Sequence, residues 1–311
     1  MNLQSPALSG VLFFIPMQVS VILNSKSGMQ GRNNNSELRI RKVLENQDGL
    51  TFNFLKSEYP GHAIELARES ASRGDIICFA AGGDGTMNEV GCGLIGSNTS
   101  LGIIPLGSGN GLARHLKIPL NIEEAIIRQL KGHSKLMDHG EINSKKFFLA
   151  AGIGFEGVVT NRFSKKQFRG FISYLISASQ EFFKWKNVAY RATFEKEKVG
   201  GTAFSIVFAN GSEYGNNAII SPSAEIDDGL LQFVRVLPFS LLAAPKIFFQ
   251  LMAGRMDKSA YHLESAFKNL ELSIEGKTQI EGHFDGEAIV FTLPLSVQVK
   301  PGSLLVRMPA N

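Results

Sequence analysis

The chain has 311 residues, 44% of them hydrophobic and 19% charged, with a formal net charge of +4. That balance suits two ordinary globular domains or one large one and excludes a disordered chain, while the small basic surplus fits phosphates or acidic lipid headgroups but is too weak to argue for nucleic acid. The two cysteines, Cys78 and Cys92, form no C-x-x-C pair or Cys/His cluster, which argues against a disulfide scaffold or zinc site and fits a reducing cytoplasm.

Residues 1–16 read as an extension outside the fold. The early apolar run, VLFFIPMQVSVIL, is broken by Pro16, Gln18 and Ser20. It is too short for a transmembrane helix, which takes ~20 apolar residues, and it lacks the basic start of a signal peptide. From Met17 the chain alternates strands and helices. MQVSVILN is a strand that runs into the loop SKSGMQGRNNN. The helix SELRIRKVLENQ follows, with Ser36 as its expected cap, then the strand LTFNFLKS and the helix GHAIELARESASRG, closed by Gly74. DIICFAA is a short apolar strand leading into GGDGT, where TMNEVGCGLIG begins a helix. LGIIPLG is another apolar strand, followed by SGNGLARHL and the helix NIEEAIIRQLKG. Short all-apolar strands between helices predict a mostly parallel sheet covered on both faces.

Past residue 130 the pattern becomes β-rich. SKLMDHGEI, KKFFLAAGI, VAYRATFEK, TAFSIVFAN, LLQFVRVL, NLELSIEG and LSVQVKPGSLLVRM all favour strands. Two helices interrupt them, FRGFISYLISASQEFFKW and SLLAAPKIFFQLMAGR. The predicted architecture is a doubly wound, mostly parallel α/β nucleotide-binding domain over 17–132 and a β-rich, sandwich-like domain over 133–311. The active site is placed in the cleft between them.

Four stretches carry candidate chemistry. GGDGT, Gly82 to Thr86, ends a parallel strand, where open α/β sheets bind ligands. Glycines free main-chain amides for phosphate oxygens, the next helix offers its positive end, and Asp84 suits a magnesium ion. PLGSGNGLARHL repeats the arrangement one strand on, with Gly107, Ser108, Gly109 and Asn110. No G-x-x-x-x-G-K-[ST] P-loop occurs. AEIDDGLLQFV is either a solvated turn or a cation site built on Asp228. In HFDGEAIV, Asp285-Gly286 has hairpin-turn chemistry, and Glu287 is either a surface residue or a general base toward a hydroxyl. GIGFEG matches G-x-G-x-x-G, but a long helix and then β-rich chain come next in place of the second parallel strand of a dinucleotide fold, so that reading is rejected. The six histidines show no ligand spacing.

GGDGT, then GSGN, then a late DGE resembles the diacylglycerol kinase catalytic-domain family, which includes bacterial diacylglycerol kinase-like lipid kinases, sphingosine kinases and ceramide kinases. NSKSG at 24–28 and SEYPGHA at 57–63 resemble further family segments, so the likeness runs from Met17 nearly to the end. GGDGT alone is shared with NAD kinases; DGE and DDGLL point to the lipid-kinase branch. The resemblance implies an ATP- and Mg2+-dependent kinase acting on diacylglycerol or a related lipid. It implies ATP contacts from Asn24, Ser57, Gly82, Gly83, Asp84, Gly85, Thr86, Met87, Asn88, Gly107, Ser108 and Asn110. Asp84 would also help organise Mg2+, Asp138 would join the active-site magnesium and water network, and Glu287 would be the general base. Asp228, with main-chain oxygens of Glu225 and Leu230, would form a structural Mg2+ site, and Glu156 is a candidate lipid-headgroup contact.

Three positions depart from the family pattern: Gly111 stands where bacterial relatives carry Asp, NSKSG lacks a proline, and Glu156-Gly157 replace D-A. They leave the identity of the lipid open. The expected partners are ATP and a lipid at a membrane surface, with a homodimer left open and no nucleic acid. The expected location is the cytoplasm, with peripheral contact to the inner face of the membrane. Residues 165–186 have apolar positions between basic ends and read as either core or a membrane-docking helix. The rival readings are a kinase with a soluble acceptor such as NAD, and a non-catalytic lipid- or nucleotide-binding protein.

Overall fold

A computed structural model describes residues 17–24, 30–164, 182, 184–213 and 218–310. The first five strands and helices in order are β1 (Met17–Asn24), α1 (Gln30–Glu45), β2 (Leu50–Ser57), α2 (His62–Arg73) and β3 (Ile77–Gly82). Then come α3 (Asp84–Leu94), β4 (Ser100–Pro105), the short α4 (Gly111–His115) and α5 (Ile122–Lys131). Strands β2-β1-β3-β4 lie side by side and parallel.

Every residue of β3 and β4 is buried, because both faces of the sheet are covered. Ile77, Phe79 and Ala81 meet Ile40 and Leu44 of α1 and Ile122 and Ile126 of α5. The alternate residues Cys78 and Ala80 meet Leu66 and Ala67 of α2 and Met87, Val90 and Leu94 of α3. The all-apolar runs of the sequence thus mark strands with no solvent side. Gly74 closes α2 as expected, at φ 79 with its N–H on the Ala71 carbonyl. Asn121 caps α5 by accepting the Glu124 N–H at 3.0 Å. One expectation fails. The structure starts α1 at Gln30, so Ser36 lies inside the helix and is not its cap, and part of the supposed loop is helical. The polar run NNNS hid that start, because Asn and Ser favour caps over helix interiors.

The second half adds β5 (His133–Ile142), β6 (Lys145–Phe147), β7 (Ala150–Gly154), α6 (Phe155–Ser164), β8 (Val188–Phe194), β9 (Glu197–Ala203) and β10 (Ser205–Ala209). It continues with β11 (Leu231–Val236), α7 (Ala244–Met252), β12 (His262–Phe267), β13 (Asn269–Ile274), β14 (Gln279–Phe284), β15 (Glu287–Thr292) and β16 (Leu295–Met308). A six-stranded sheet, β12-β11-β10-β7-β14-β15, packs on strands β5, β8, β13 and β16 across a core of Phe147, Phe208, Phe233, Phe267 and Leu295. This is the expected sandwich. The helix read at FRGFISYLISASQEFFKW falls almost wholly outside the described residues.

The long β16 serves both halves. Near its start it pairs antiparallel with β13, through Leu295–Gln298. Near its end Val306 pairs parallel with Leu101 of β4, while Leu304–Met308 run antiparallel to β5. The last strand therefore extends the first sheet beside β4. Among the described residues no helix is long and apolar enough to cross a membrane.

Candidate active site

The carboxyl ends of the parallel strands set the site. Asn24 ends β1 in register with Ser57, which ends β2. Gly82 ends β3 in register with Pro105 of β4. Beyond those ends the two glycine loops pack main chain on main chain. The Leu106 N–H donates to the Gly82 carbonyl at 2.8 Å. A Cβ on Gly107 would lie 2.6 Å from the Gly83 Cα, so position 107 has no room for a side chain. Asn110, at φ 53, folds its loop over itself: its amide donates to the Gly107 carbonyl at 2.8 Å and accepts the Gly107 N–H at 3.0 Å. Ser108 is exposed at the tip. Gly82 leaves room for the Thr86 side chain, whose hydroxyl accepts from the Asn24 amide at 3.1 Å. Met87 is buried beneath the loops.

Asp84 opens α3 and joins the two loops. Its Oδ2 accepts the Asn110 N–H at 3.0 Å and its Oδ1 the Gly111 N–H at 2.7 Å. The second bond uses the Gly111 main chain, so it needs no particular side chain at that position. Burial pushes the Asp84 pKa up to about 6, the Asp285 carboxylate adds to the rise, and the two amides oppose it.

The DGE segment arrives from the other half of the molecule. Phe284 of β14 pairs with Glu287 of β15, so Asp285 and Gly286 form a two-residue hairpin turn, both with positive φ (44 and 83). The Asp285 carboxylate points inward. Its Oδ2 accepts from the Phe148 N–H and the Asn88 side-chain amide, each at 2.8 Å. Its Oδ1 accepts the Leu149 N–H at 2.8 Å and the Ala150 N–H at 3.2 Å. Burial raises its pKa, against the pull of these donors. Asn88 lies on α3, so this carboxylate fastens the hairpin to the helix that begins with Asp84. The result is visible two residues on: Glu287 is exposed, and a Cβ on Gly85 would lie 2.7 Å from its Oε1. Glu287 therefore stands directly over the start of α3.

The structure thus gathers Asn24, Ser57, Gly82 to Asn88, Gly107, Ser108, Asn110 and Glu287 around one strand edge. Asn88, expected at ATP, spends its side-chain amide on Asp285 and on the Lys146 carbonyl. Asp138 sits with a second group. Buried on β5, it accepts the Gly229 and Gly302 N–H groups, both at 2.7 Å. Next to it Asp228 accepts the Leu230 N–H at 2.9 Å, and Lys135 pairs with Asp227 at 2.8 Å. Burial, then the nearby charges of Asp138 and Glu225, raise the Asp228 pKa. A divalent cation would relieve that repulsion, so the residues fit one. Among the described residues no three Asp, Glu, His or Cys side chains converge as a metal cage, and the set expected at 225, 228 and 230 relies on main-chain oxygens for two of its three donors.

Glu156, in the first turn of α6, reaches the His283 Nε2 at 3.4 Å, one strand position before Phe284 in the Glu287 hairpin. Its neighbour Gly157 has a packing reason. A Cβ there would meet the Gly282 Cα at 2.5 Å, so alanine, the commoner family residue, does not fit against β14. Sequence reasoning missed Asp285. Its Asp-Gly pair signalled a turn but not which way the carboxylate faces.

Residues 18–142 match the family model described as diacylglycerol kinase catalytic domain, and residues 150–308 match that of the YegS C-terminal NAD kinase beta sandwich-like domain. A relative from Yersinia enterocolitica serotype O:8, named "Probable lipid kinase YegS-like", is 29% identical over 286 residues, covering 88% of this chain and 93% of its own. One of the same name from Yersinia pestis (strain Pestoides F) is 28% identical over 303 residues, covering 94% and 97%. In fold, the chain is similar to a crystal structure of a diacylglycerol kinase from Bacillus anthracis str. Sterne, with a TM-score of 0.73 at 22% identity over 94% of this chain and 97% of that one. With both halves matched in order, the chain belongs to the diacylglycerol kinase catalytic-domain family of kinases, in the branch that carries the YegS-type C-terminal β-sandwich domain.

Proposed function

We propose that this protein is an ATP- and Mg2+-dependent lipid kinase that phosphorylates the hydroxyl of diacylglycerol or a related lipid. One observation carries the reading: the open Glu287 carboxylate stands over Gly85, at the start of a helix flanked by two glycine-rich loops. Main-chain amides and the positive helix end suit the ATP phosphates. A Cβ on Gly107 or Gly109 would intrude on that cradle, the latter at 2.8 Å from Asp84 Oδ2.

In this reading Glu287 removes the proton from the lipid hydroxyl as its oxygen bonds to the γ-phosphorus, and the bond to the β-phosphate oxygen breaks to release ADP. Asp84 would hold Mg2+ there, which when bound neutralises phosphate charge. Asp228, with the main-chain oxygens of Glu225 and Leu230, would hold a second, structural Mg2+, with Asp138 linking that loop to β16. Glu156 would face the polar part of the lipid. The enzyme would work in the cytoplasm, touching the inner membrane face transiently, with residues 17–132 carrying ATP and residues 133–311 carrying the lipid.

The description of the second family model as NAD kinase-like supports one rival, a kinase with NAD as acceptor. Transfer of labelled γ-phosphate from Mg·ATP to diacylglycerol, monoacylglycerol, phosphatidylglycerol, sphingosine, ceramide and NAD separates the two. Product on one lipid, lost in Asp84→Ala and reduced by a factor of about 10² or more in Glu287→Gln, is the expected result. Product on NAD alone would replace the reading. Transfer undiminished in Glu287→Gln would remove the assigned base.

A further inference from the structure

Among the described residues, large apolar side chains open to solvent gather on the segment that leads into and forms α7. Leu241 is 50% exposed, Leu242 93% and Phe249 66%. The inward side of this segment is ordinary core: Ala243, Ile247 and Leu251 pack with Val234 and Val236 of β11. At its base Phe239 packs at an angle against Phe204 at 4.6 Å and Phe182 at 5.6 Å, and edge-on against Tyr261 at 5.9 Å between ring centroids. The outward side is unusual. A surface helix normally turns charge to water there. Leu242, in the tight turn before α7, and Lys246 and Phe249 of α7 instead all face water, apolar at both ends and cationic in the middle. A helix apolar on both faces needs a second apolar phase.

Charge says which phase. From Gly229 to Met256 the chain has no Asp or Glu, while Lys246 and Arg255 are both exposed. Apolar knobs beside Lys246 and Arg255, on a stretch of chain whose next carboxylate is Asp257, complement an anionic lipid surface. We propose that Leu241, Leu242 and Phe249 insert into such a surface with Lys246 at its headgroups. On the lipid-kinase reading above, on which this inference rests for its purpose, that contact seats the enzyme on the membrane holding its acceptor.

The test is co-sedimentation of the full chain with phosphatidylcholine vesicles, with and without phosphatidylglycerol. The wild type should bind the anionic vesicles. The exposed double variant Leu242→Ser/Phe249→Ser should bind at least about tenfold more weakly. Lys246→Glu should weaken binding about fivefold or more on anionic vesicles only. Unchanged binding by the double variant, or no binding by the wild type, overturns the proposal. So does a dimer that the double variant splits while vesicle binding persists, which would make the face an interface between copies. Transfer to short-chain diacylglycerol dispersed without vesicles keeps the two readings apart. There the double variant should match the wild type. Transfer with failed docking removes this inference alone; docking as expected with no transfer to any lipid removes the kinase reading and leaves the lipid-docking face.

Discussion

Replacing Asp285 by alanine would strip the Phe148, Leu149 and Ala150 amides and the Asn88 side chain of their shared acceptor. An enclosed donor left unpaired costs roughly 1–3 kcal/mol, so Asp285→Ala is expected to lose ~3 kcal/mol or more, read as a drop in the urea midpoint. Gly85→Ala should do the opposite to stability. Gly85 lies in α3 at ordinary helical backbone angles, and alanine favours a helix by about 0.8–1 kcal/mol over glycine. Yet its Cβ would displace the Glu287 carboxylate, so kcat should fall at least ~10-fold while thermal stability holds or rises. Asp84 makes a pH prediction. Its folded pKa of about 6 lies above the ordinary aspartate value of 3.8, so between those values the folded state keeps a proton that the unfolded chain has lost. Its contribution is fully present below the lower value and is lost as pH rises through the upper, to the extent of ~3 kcal/mol. In chelator-treated protein, the unfolding free energy of wild type relative to Asp84→Asn should therefore fall between about pH 4 and 6. These residues were unequally legible. GGDGT announced itself by glycine density and strand-end position. Asp285 did not, since turn chemistry fixes backbone angles and says nothing about which neighbour will supply amides.

At the scale of elements, the site is a helix start facing a hairpin tip. Gly286 sits at φ 83 with open space where a Cβ would go, so Gly286→Ala should cost only the left-handed backbone penalty, roughly 1–2 kcal/mol, by chemical denaturation. A loss well above that would mean the turn also bears on packing. The strands that carry the glycine loops were readable because they are buried on both faces, as the runs in β3 and β4 show. The hairpin was harder. β14 (QIEGHF) carries a glycine and three polar or charged residues, and β15 keeps exposed positions such as Val290. Neither alternates cleanly, because β15 ends its sheet and α6 covers β14 through Gly157. The break between β6 and β7 was hidden inside the apolar run KKFFLAAGI, yet it frees the Phe148 and Leu149 amides for Asp285.

For the whole molecule, a parallel α/β half and a β-rich sandwich half were legible from the strand and helix patterns, and the route of the last strand, which joins the two in one ten-stranded sheet, was not. β16 read as one more sandwich strand, since nothing in LSVQVKPGSLLVRM marks its far end for β4. That route orders events in time as well as space. On the ribosome the glycine loops emerge early, but β4 has an open edge and β5 lacks its longest partner until Leu304–Met308 are released. The half that carries the glycine loops, first to be made, is thus among the last to be completed, contrary to the usual N-to-C order of domain folding. Nascent chains arrested before Leu295 should remain protease-sensitive throughout their first half, and full-length release should confer protection on both halves together. Such a chain leaves the edge of β4, beside the glycine loops, open until synthesis nears its end, so an incomplete copy stays exposed to proteases for as long as it is being made.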